Sequence, residues 1–575
     1  MMNKLNKIVS VLCFLAIPAC LASAGGNLAP NPRFLDGPDD KNAPYGWEYR
    51  QNFVSPASRG EAYGEWSLEG YGGSRSVSIV EERWFSASQW GSRVEGIEPE
   101  TYYLFSLRAM RDTDTGWLPK LRLFDQSRLI NVKRPGEYLY FEFLLNSKDV
   151  KGESDLSLIV FRKPSVIWFS DLRLVEFGLD LVSPVPGEEI RGGGPRFSWE
   201  LPEHGQAVDF SLTLFREGRE EPLFTAGGIQ ESHFKGPALE PGSYLWKVSV
   251  FSGAVLLSQS QKRSFTVKDP PPEGSAPAAD LLLTEEFKRQ SSIIETLRAA
   301  EEFPIGINYL PHEDAPAARE AGINWAFMPR GEAGPYEEAG IKIIGRTGSA
   351  DADIYYLYDE PEQRGILPAD VRKKHRGAGE INDKIPTAVT IYDPDRYMEY
   401  AGVSDILMAD PYPVPVRPLS SVPEAVLAAR SARGGRPVWA IIQAFDWADA
   451  SAEARREGTT RLPTHGEIKA MSFAAIAAGA EGLVFYTFGQ EGAAREELLS
   501  RLHELASEIR KINDFLTAPG GESSKSGPFY VLEKDVPGKG AERLIVNSRP
   551  EPAVFEEIKI QPLGVVFEKA GAGRE

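Results

Sequence analysis

The sequence predicts a multidomain protein in which two antiparallel β-sandwiches precede a central (β/α)8 barrel and a small β segment ends the chain. Three observations support this prediction. The 575 residues exceed what one hydrophobic core usually holds. Residues 27–268 contain short runs of alternating polarity separated by Gly, Pro, Asn and Asp, which is typical of sandwiches. From residue 303 to 516, apolar strands alternate with helical segments, as in βα units around a parallel sheet.

Residues 1–24 are predicted to be an export signal. Lys4 and Lys7 give a positive start, "IVSVLCFLAI" is a short apolar core, and "ASA" at 22–24 is a cleavage pattern of small residues. The alternative is that "IPAC" makes Cys20 a lipid-anchored N-terminus, although Pro18 fits that motif poorly. The apolar run is too short to span a bilayer. We therefore expect a protein without a membrane span that is periplasmic, extracellular or at the cell surface.

Charge and cysteine content narrow the classes of function. The formal net charge is −18, which argues against nucleic acid or an anionic membrane surface as partner, because both require a basic surface. Both cysteines, Cys13 and Cys20, fall inside the predicted signal. The mature chain is therefore expected to contain neither disulfides nor thiolate chemistry.

Residues 25–177 are predicted to form the first sandwich, with strand candidates such as "RSVSIVEERWF" and "YLYFEFLL". The motifs "NLAPNPRF", "APYGWEYR", "ETYYLFSLRAM" and "FSDLRLVEF" resemble the jelly-roll carbohydrate-binding modules attached to secreted glycoside hydrolases. The resemblance implies a domain that binds sugar by stacking aromatic side chains on the rings. Many such modules bind no sugar, so a purely structural role stays open.

Residues 178–268 are predicted to form a second, immunoglobulin-like sandwich. "GPRFSWEL", "VDFSLTLFRE" and "GSYLWKVSVF" alternate in polarity between turn signals. The stretch "LEPGSYLWKVSVF" resembles the tyrosine-containing strand of fibronectin type III domains, which implies a spacer. Residues 269–302 then read as a Pro-rich linker and a lead-in helix.

Residues 303–518 are predicted to form the barrel, and residues 519–575 the small C-terminal β segment. Thr464 and Glu467 predict a capping box at the start of one barrel helix. The barrel has these strand candidates: "FPIGINYL", "INWAFMP", "IKIIGRT", "IYYLYDE", "PTAVTIYD", "DILMADPYPV", "PVWAIIQAF" and "GLVFYTF".

In barrel enzymes the carboxyl ends of the strands carry the chemistry. The predicted strand ends offer carboxylates, an amide and aromatic side chains: Tyr309, Trp325, Asp359, Glu360, Asp410, Tyr412, Gln443, Asp446, Trp447 and Tyr486. They include no His or Cys cluster of metal-ligand type, so we expect neither a metal nor a cofactor. Carboxylates beside aromatic side chains are typical of glycosidic bond chemistry, in which an acid protonates the leaving oxygen and a second carboxylate acts opposite it.

The fourth strand candidate ends at Asp359-Glu360-Pro361. In the large clan of barrel glycoside hydrolases, an Asn-Glu pair, often followed by Pro, ends strand four and supplies the acid/base Glu. This sequence resembles that pattern, with Asp359 in place of Asn. The stretches "VSDILMADPYPV", "PVWAIIQAF" and "AAIAAGAEGLVFYTF" also resemble later strands of exported glycoside-hydrolase-like proteins. The resemblance implies that Glu360 is the general acid/base.

The sequence departs from the clan at strand seven, where the nucleophilic Glu is expected and "AIIQAFDW" offers Gln443. An amide cannot act as that nucleophile. Asp410 is therefore the first candidate for nucleophile or base, and Asp446 the second. Asp359, Gln443 and the aromatic strand-end residues are predicted to bind substrate, although a Gln at this place can also simply bond to a loop.

The sequence thus supports the hypothesis of an exported glycoside hydrolase that acts on a poly- or oligosaccharide. The alternative is a non-catalytic carbohydrate-binding or surface protein whose barrel has lost the second carboxylate. A barrel enzyme of another class, such as a lyase, is a third hypothesis. The lack of His and Lys at the predicted strand ends counts against it.

Overall fold

The structure is a computed structural model that describes residues 26–570 except 38–42, 54–61, 68–69, 82–85, 114–117, 133, 162–164, 192–193, 270–280, 284, 328–332, 451–459 and 488–491. The predicted export signal and Cys20 lie outside these residues, so both stay predictions. None of the described helices has the length and apolar character needed to cross a bilayer.

The first domain is a sandwich of two antiparallel five-stranded sheets. In spatial order, one sheet contains Trp47–Phe53, Ser86–Ile97, Gly152–Phe161, Lys120–Leu123 and Gln126–Leu129. The other contains Ala62–Ser67, Ser76–Glu81, Ser165–Glu176, Tyr102–Arg111 and Leu139–Asn146. Alternate residues along these strands enter the core between the sheets, as the period-2 pattern predicts.

The second domain is also a sandwich. Its small sheet contains Asp180–Ser183, Arg196–Glu200 and His233–Lys235. Its large sheet contains Glu188–Ile190, Arg263–Val267, Gly242–Ser252, Asp209–Arg216, Pro222–Ile229 and Leu281–Leu283, and Val255–Gln259 pairs with Gly242–Ser252. Leu281–Leu283 lies in the predicted linker yet pairs in parallel with Pro222–Ile229, so this part of the linker belongs to the sandwich.

Eight parallel strands form a closed barrel. They are β1 Ile305–Asn308, β2 Trp325–Phe327, β3 Lys342–Arg346, β4 Ile354–Asp359, β5 Thr387–Ile391, β6 Ile406–Ala409, β7 Val438–Gln443 and β8 Leu483–Tyr486. Each pairs with the next, and β8 pairs with β1. The predicted fold class, β-sandwiches followed by a (β/α)8-type barrel, is confirmed.

The described α-helices are Glu285–Arg298, Ala315–Ala321, Gly334–Ala339, Pro368–Ile381, Ser421–Arg433, Trp447–Ala450, His465–Ala477, Gly492–Arg510 and Asn513–Thr517. The 3-10 helices are Tyr71–Gly73, His312–Asp314, Pro361–Arg364 and Pro394–Arg396. Thr464 and Glu467 form the predicted capping box at the start of His465–Ala477.

Two of the expected barrel helices are missing from fully described connections. Residues 347–353 join β3 to β4 by turns, and residues 392–405 join β5 to β6 with only the 3-10 helix Pro394–Arg396. At the connection between β5 and β6, the second sandwich packs against the chain. Ser252 Oγ donates a hydrogen bond to the Met398 carbonyl at 2.5 Å, and a Cβ added at Gly253 would lie 2.5 Å from the Ala401 side chain.

The second sandwich also meets the barrel at the helix Pro368–Ile381. Arg372 on this helix is buried, and its guanidinium donates to the Val208 carbonyl at 2.6 Å and contacts Asp209 at 3.2 Å. Ala207 of the second sandwich belongs to the barrel's own hydrophobic core. Sandwich and barrel therefore share buried charge and apolar contacts.

The C-terminal segment is a sheet of Glu522–Ser526, Phe529–Val536, Gly540–Asn547 and Val565–Lys569, with the hairpin Ala553–Phe555 and Ile558–Ile560 beside it. Tyr530 and Leu544 of this sheet join the barrel core. Lys534 donates to the carbonyls of Leu516 and Ala518 at 2.8 and 2.9 Å, which ties the sheet to the end of the barrel.

Candidate active site

Glu360 directly follows β4, and the backbone holds it in an unusual conformation. Its φ and ψ are 44° and 60°, in the left-handed region that non-glycine residues seldom adopt. Its N–H donates to the Thr390 carbonyl on β5 at 3.0 Å, and its carbonyl accepts from Gln363 N–H at 3.1 Å. Strain of this kind often accompanies functional sites, because the surrounding structure must enforce it. Here the hydrogen bond to β5 fixes the backbone conformation of Glu360 at the end of β4.

Asp359 is half exposed beside Glu360, and two partners orient its carboxylate. The Tyr356 hydroxyl lies 2.9 Å from Asp359 Oδ1, and Arg364 Nη2 lies 2.6 Å from Oδ2. Tyr356 itself is buried in the barrel, with its hydroxyl also 2.8 Å from Thr390 Oγ1. Asp359 is therefore an ion-paired carboxylate in a fixed position at the barrel mouth.

Asp410 directly follows β6, at the same end of the barrel as Asp359 and Glu360, and only 2% of its surface is exposed. Burial raises its pKa well above the ordinary value, and the charge of Glu360 raises it further, while a hydrogen bond with Tyr412 opposes the shift. Its Oδ1 has no hydrogen-bond partner among the described residues. Burial and the nearby charge of Glu360 thus both favour the protonated form of Asp410, and Glu360 is close enough to act on it electrostatically.

Glu362 is a buried carboxyl of the same turn that sequence reasoning missed. Its Oε1 accepts hydrogen bonds from the backbone N–H groups of Tyr392 and Asp393 at 2.7 and 3.2 Å. Burial raises its pKa to about 8; these backbone bonds oppose the shift, and the charge of Glu360 adds to it. The polar run "DEPEQR" reads as a solvated turn, so the sequence carries no local signal for this burial.

Aromatic side chains from β5 to β8 surround the carboxyl groups. The Tyr412 ring lies 4.9 Å from Phe445, 5.8 Å from Trp447, 5.8 Å from Tyr486 and 6.4 Å from Tyr392. Burial raises the pKa of Tyr412 and of Tyr486, and the charges of Glu360 and Asp410 raise both further. The predicted residues Glu360, Asp410, Tyr412, Trp447 and Tyr486 are thus brought together at the carboxyl end of the barrel.

Tyr309 also belongs to this end. It directly follows β1, has a φ of 51°, and donates its N–H to the Phe327 carbonyl at 3.0 Å. Its hydroxyl contributes to the raised pKa of Tyr486, which places the two phenols near one another. A second left-handed residue at a strand end makes the site a place of concentrated backbone strain.

Trp325 does not join the site, which corrects the expectation that it ends a strand. It is the first residue of β2, so it lies at the opposite, amino-terminal end of the barrel. There it is buried, and its ring packs edge-on against Trp439, the second residue of β7, at 5.6 Å. The apolar run "INWAFMP" does not show where within it the strand begins.

Gln443 ends β7 as predicted, and both its amide oxygen and its amide nitrogen bond to backbone groups of the protein. It is fully buried; its Oε1 accepts from Val414 N–H at 2.9 Å, and its Nε2 donates to the carbonyls of Val414 and Phe445 at 2.9 and 3.3 Å. These bonds favour the alternative interpretation, in which Gln443 bonds to a loop, over its predicted role in substrate binding. Gln443 instead fixes the loop that follows β6 and carries Tyr412.

Replacing Gln443 with Glu is expected to destabilise the protein rather than restore a nucleophile. A carboxylate cannot donate to the Val414 and Phe445 carbonyls, and it would be buried without a cation among its described contacts. We expect a loss of about 2–3 kcal/mol, seen as a lower urea midpoint at pH 7. Gln443→Met, which removes the polar group, is the comparison. A Glu variant as stable as the wild type would contradict the structural role.

Asp446 lies beyond β7 and is partly buried. Its Oδ1 accepts the N–H of Ala448 at 2.9 Å, which caps the short helix Trp447–Ala450. Asp410, the first predicted partner of Glu360, feels the charge of Glu360 directly, which raises the pKa of Asp410. In the described part of the chain, no three His, Cys, Asp or Glu side chains are grouped so as to hold a metal ion.

No family model matches the chain, and no curated protein matches it. Solved structures that are similar to it include glycoside hydrolases and carbohydrate-binding modules. One is an α-amylase from Geobacillus thermoleovorans, with 9% identity, 47% of this chain and 94% of that chain covered, and a TM-score of 0.31. A β-D-glucuronidase from Dictyoglomus thermophilum has 9% identity, covers 78% and 92%, and has a TM-score of 0.24. A family 16 carbohydrate-binding module has 13% identity, covers 20% and 85%, and has a TM-score of 0.17. At these scores the likenesses carry no argument about activity.

Proposed function

We propose that this protein is a glycoside hydrolase that cleaves glycosidic bonds in a poly- or oligosaccharide, with Glu360 as general acid/base. The observation that carries the proposal is that Glu360 and Asp410 lie at the carboxyl ends of β4 and β6, where the charge of Glu360 raises the pKa of the buried Asp410. A negative charge beside a carboxyl group favours its protonated form, so two neighbouring carboxyl groups help to retain a proton. A proton available near neutral pH is what protonation of a glycosidic oxygen requires.

The surroundings of the pair suit a sugar substrate. Glu360 is partly exposed and Asp359 is half exposed, so both can meet a ligand at the barrel mouth. Tyr392, Trp447 and Tyr486 are only partly buried and present ring surface for sugar rings. In this proposal Glu360 protonates the leaving oxygen, Asp359 binds substrate hydroxyls, and Asp410 is the first candidate for the second carboxylate, which acts as nucleophile or base.

A second candidate is a carbohydrate-binding protein that does not turn over its ligand. The burial of Asp410 favours this candidate, because a nucleophile or base must reach the reacting carbon or a water beside it. Asp446 remains the other predicted partner, although its carboxylate caps a helix. Export of the protein, or its anchoring through Cys20, also stays a proposal from the sequence.

The proposal is tested by measuring reducing-sugar release from a broad panel of polysaccharides and oligosaccharides with the purified mature chain. Binding to the same panel is measured in parallel by calorimetry. A Glu360→Gln protein purified in the same way controls for contaminating hydrolases. Release by the wild type alone supports the hydrolase. Binding without release from any substrate supports the second candidate, and neither binding nor release contradicts both.

A further inference from the structure

The turn that carries Glu360 is held on three sides by three consecutive residues, Glu362, Gln363 and Arg364. Glu362 accepts backbone N–H groups at the end of β5, and Arg364 pairs with Asp359. Gln363 points in a third direction, out of the barrel. Its Oε1 accepts a hydrogen bond of 2.8 Å from Asn131 Nδ2 of the first sandwich, 232 positions away in the sequence.

The Asn131–Gln363 contact is buried and sits on a rigid support. Asn131 is 5% exposed and Gln363 is 9% exposed. Ile130 and Val132, on either side of Asn131, are fully buried in the core of the sandwich. With both neighbours fixed in the core, the Asn131 side chain is directed at the barrel by the sandwich itself. Breaking a buried amide–amide bond leaves a polar group unsatisfied, so the contact resists opening.

The first sandwich also contacts the segment that follows β5. Arg128 Nη1 lies 3.3 Å from Asp395 Oδ2. Arg396 donates to the Glu142 carbonyl at 3.1 Å, and its guanidinium lies 4.8 Å from the centre of the Phe143 ring. The segments after β4 and β5, which Glu362 joins to each other, are therefore both bound to the first sandwich.

We propose that Asn131 is a positioning residue for the Glu360 turn, so that the first sandwich is a fixed part of the site rather than a tethered sugar-binding module. The inference goes beyond the proposed function, because it concerns how the turn is held and not which reaction occurs there. It accounts for the left-handed conformation of Glu360: a strained residue persists only where its surroundings over-determine it. Here the Glu360 turn is held by its contacts with Asp359, with the segment after β5 and with the first sandwich.

Hydrogen–deuterium exchange of the full chain tests the inference without a substrate. Asn131→Ala is compared with the wild type, with the readout taken from peptides that cover residues 358–368. The N–H groups of Glu360, Gln363 and Ile366 all make backbone hydrogen bonds in this window. We expect exchange there to become about fivefold to tenfold faster, as expected for the loss of one buried hydrogen bond.

Gln230→Ala is the matched control. Gln230 belongs to the second sandwich and accepts a bond from Arg376 Nε of the barrel at 2.9 Å, so this variant also removes an amide contact between domains. It should leave exchange in 358–368 unchanged. Gln363→Ala removes the other partner of the same bond, and the double variant with Asn131→Ala should exchange no faster in 358–368 than the faster single variant.

Three outcomes overturn the proposal. The first is unchanged exchange in 358–368 in Asn131→Ala, and the second is an equal increase in Gln230→Ala. The third is a general increase across the strands of the first sandwich, which would show that Asn131 only stabilises its own domain. These exchange measurements need no substrate and no catalytic activity. They can therefore be interpreted even if the protein proves not to be a glycoside hydrolase.

Discussion

Glu360→Gln is expected to lower the rate of glycoside cleavage by about a hundredfold to ten-thousandfold while leaving the fold intact. This range is the usual contribution of a positioned general acid or base. The amide keeps the shape of the side chain but can neither donate nor accept the proton that the reaction requires. The Glu360 side chain is partly exposed and the change is isosteric, so a large loss of stability is not expected. The measurement is the initial rate of reducing-sugar release from the best substrate of the panel.

The control is Glu313→Gln, because Glu313 is a highly exposed carboxylate on the connection after β1, at the same end of the barrel. Its rate should match that of the wild type. Thermal unfolding of both variants shows whether a rate loss reflects misfolding. A Glu360→Gln rate above about a tenth of the wild-type rate is too high for the loss of a general acid, and the chemistry would then lie elsewhere in the barrel.

Glu362→Gln is expected to stabilise the protein at alkaline pH and to have little effect at acidic pH. The pKa of Glu362 is raised from 4.5 to about 8 in the folded protein. Between these values the folded state keeps a proton that the unfolded state releases, so wild-type stability falls as pH rises through this window and stays low above it. A neutral Gln does not titrate. The gain should approach roughly 5 kcal/mol above pH 8, since one pKa unit corresponds to about 1.4 kcal/mol.

The structure of the site favours Gln at this position. Its carbonyl oxygen can accept the N–H groups of Tyr392 and Asp393 as Glu362 Oε1 does. We expect an increase of several degrees in Tm at pH 9 and a much smaller one at pH 5, in scans at one fixed rate. Glu399→Gln is the contrasting control. Glu399 is fully buried and pairs with Arg396 at 2.7 Å, so its loss should lower Tm at both pH values. A Glu362→Gln effect of equal size at pH 5 and pH 9 would show that the carboxyl does not titrate in this window.

The barrel was predictable because its strands are nearly continuous apolar runs, as expected for a sheet that is covered on both faces. Each strand candidate contains the observed strand, and the ends of β4, β6 and β8 could be placed closely enough to identify Glu360, Asp410 and Tyr486. A Pro and a cluster of charges after an apolar run mark the end of β4 in the sequence itself.

At Gln443 and Glu362 the sequence could not show contacts between residues that are distant in sequence. Gln443 is occupied by Val414, 29 positions earlier, and Glu362 is buried by the end of β5, 30 positions later. Trp325 was placed at the wrong end of its strand, because β2 has only three residues within a longer apolar run. No local pattern reports these facts. The sequence also did not show that the connections from β3 to β4 and from β5 to β6 lack an α-helix. The second sandwich packs against the latter connection.

The buried Arg372 bears on the order in which the chain is made. Its counter-charge Asp209 and its carbonyl partner Val208 belong to the second sandwich, which leaves the ribosome before the barrel does. Since domains generally fold in order of synthesis, we expect the sandwiches to be formed before the helix Pro368–Ile381 emerges. The second sandwich would then already present Asp209 and the Val208 carbonyl to Arg372. A barrel translated alone would have to bury or expose that charge without its partner. The domain that pairs with the buried charge of the barrel helix is thus synthesised before that helix.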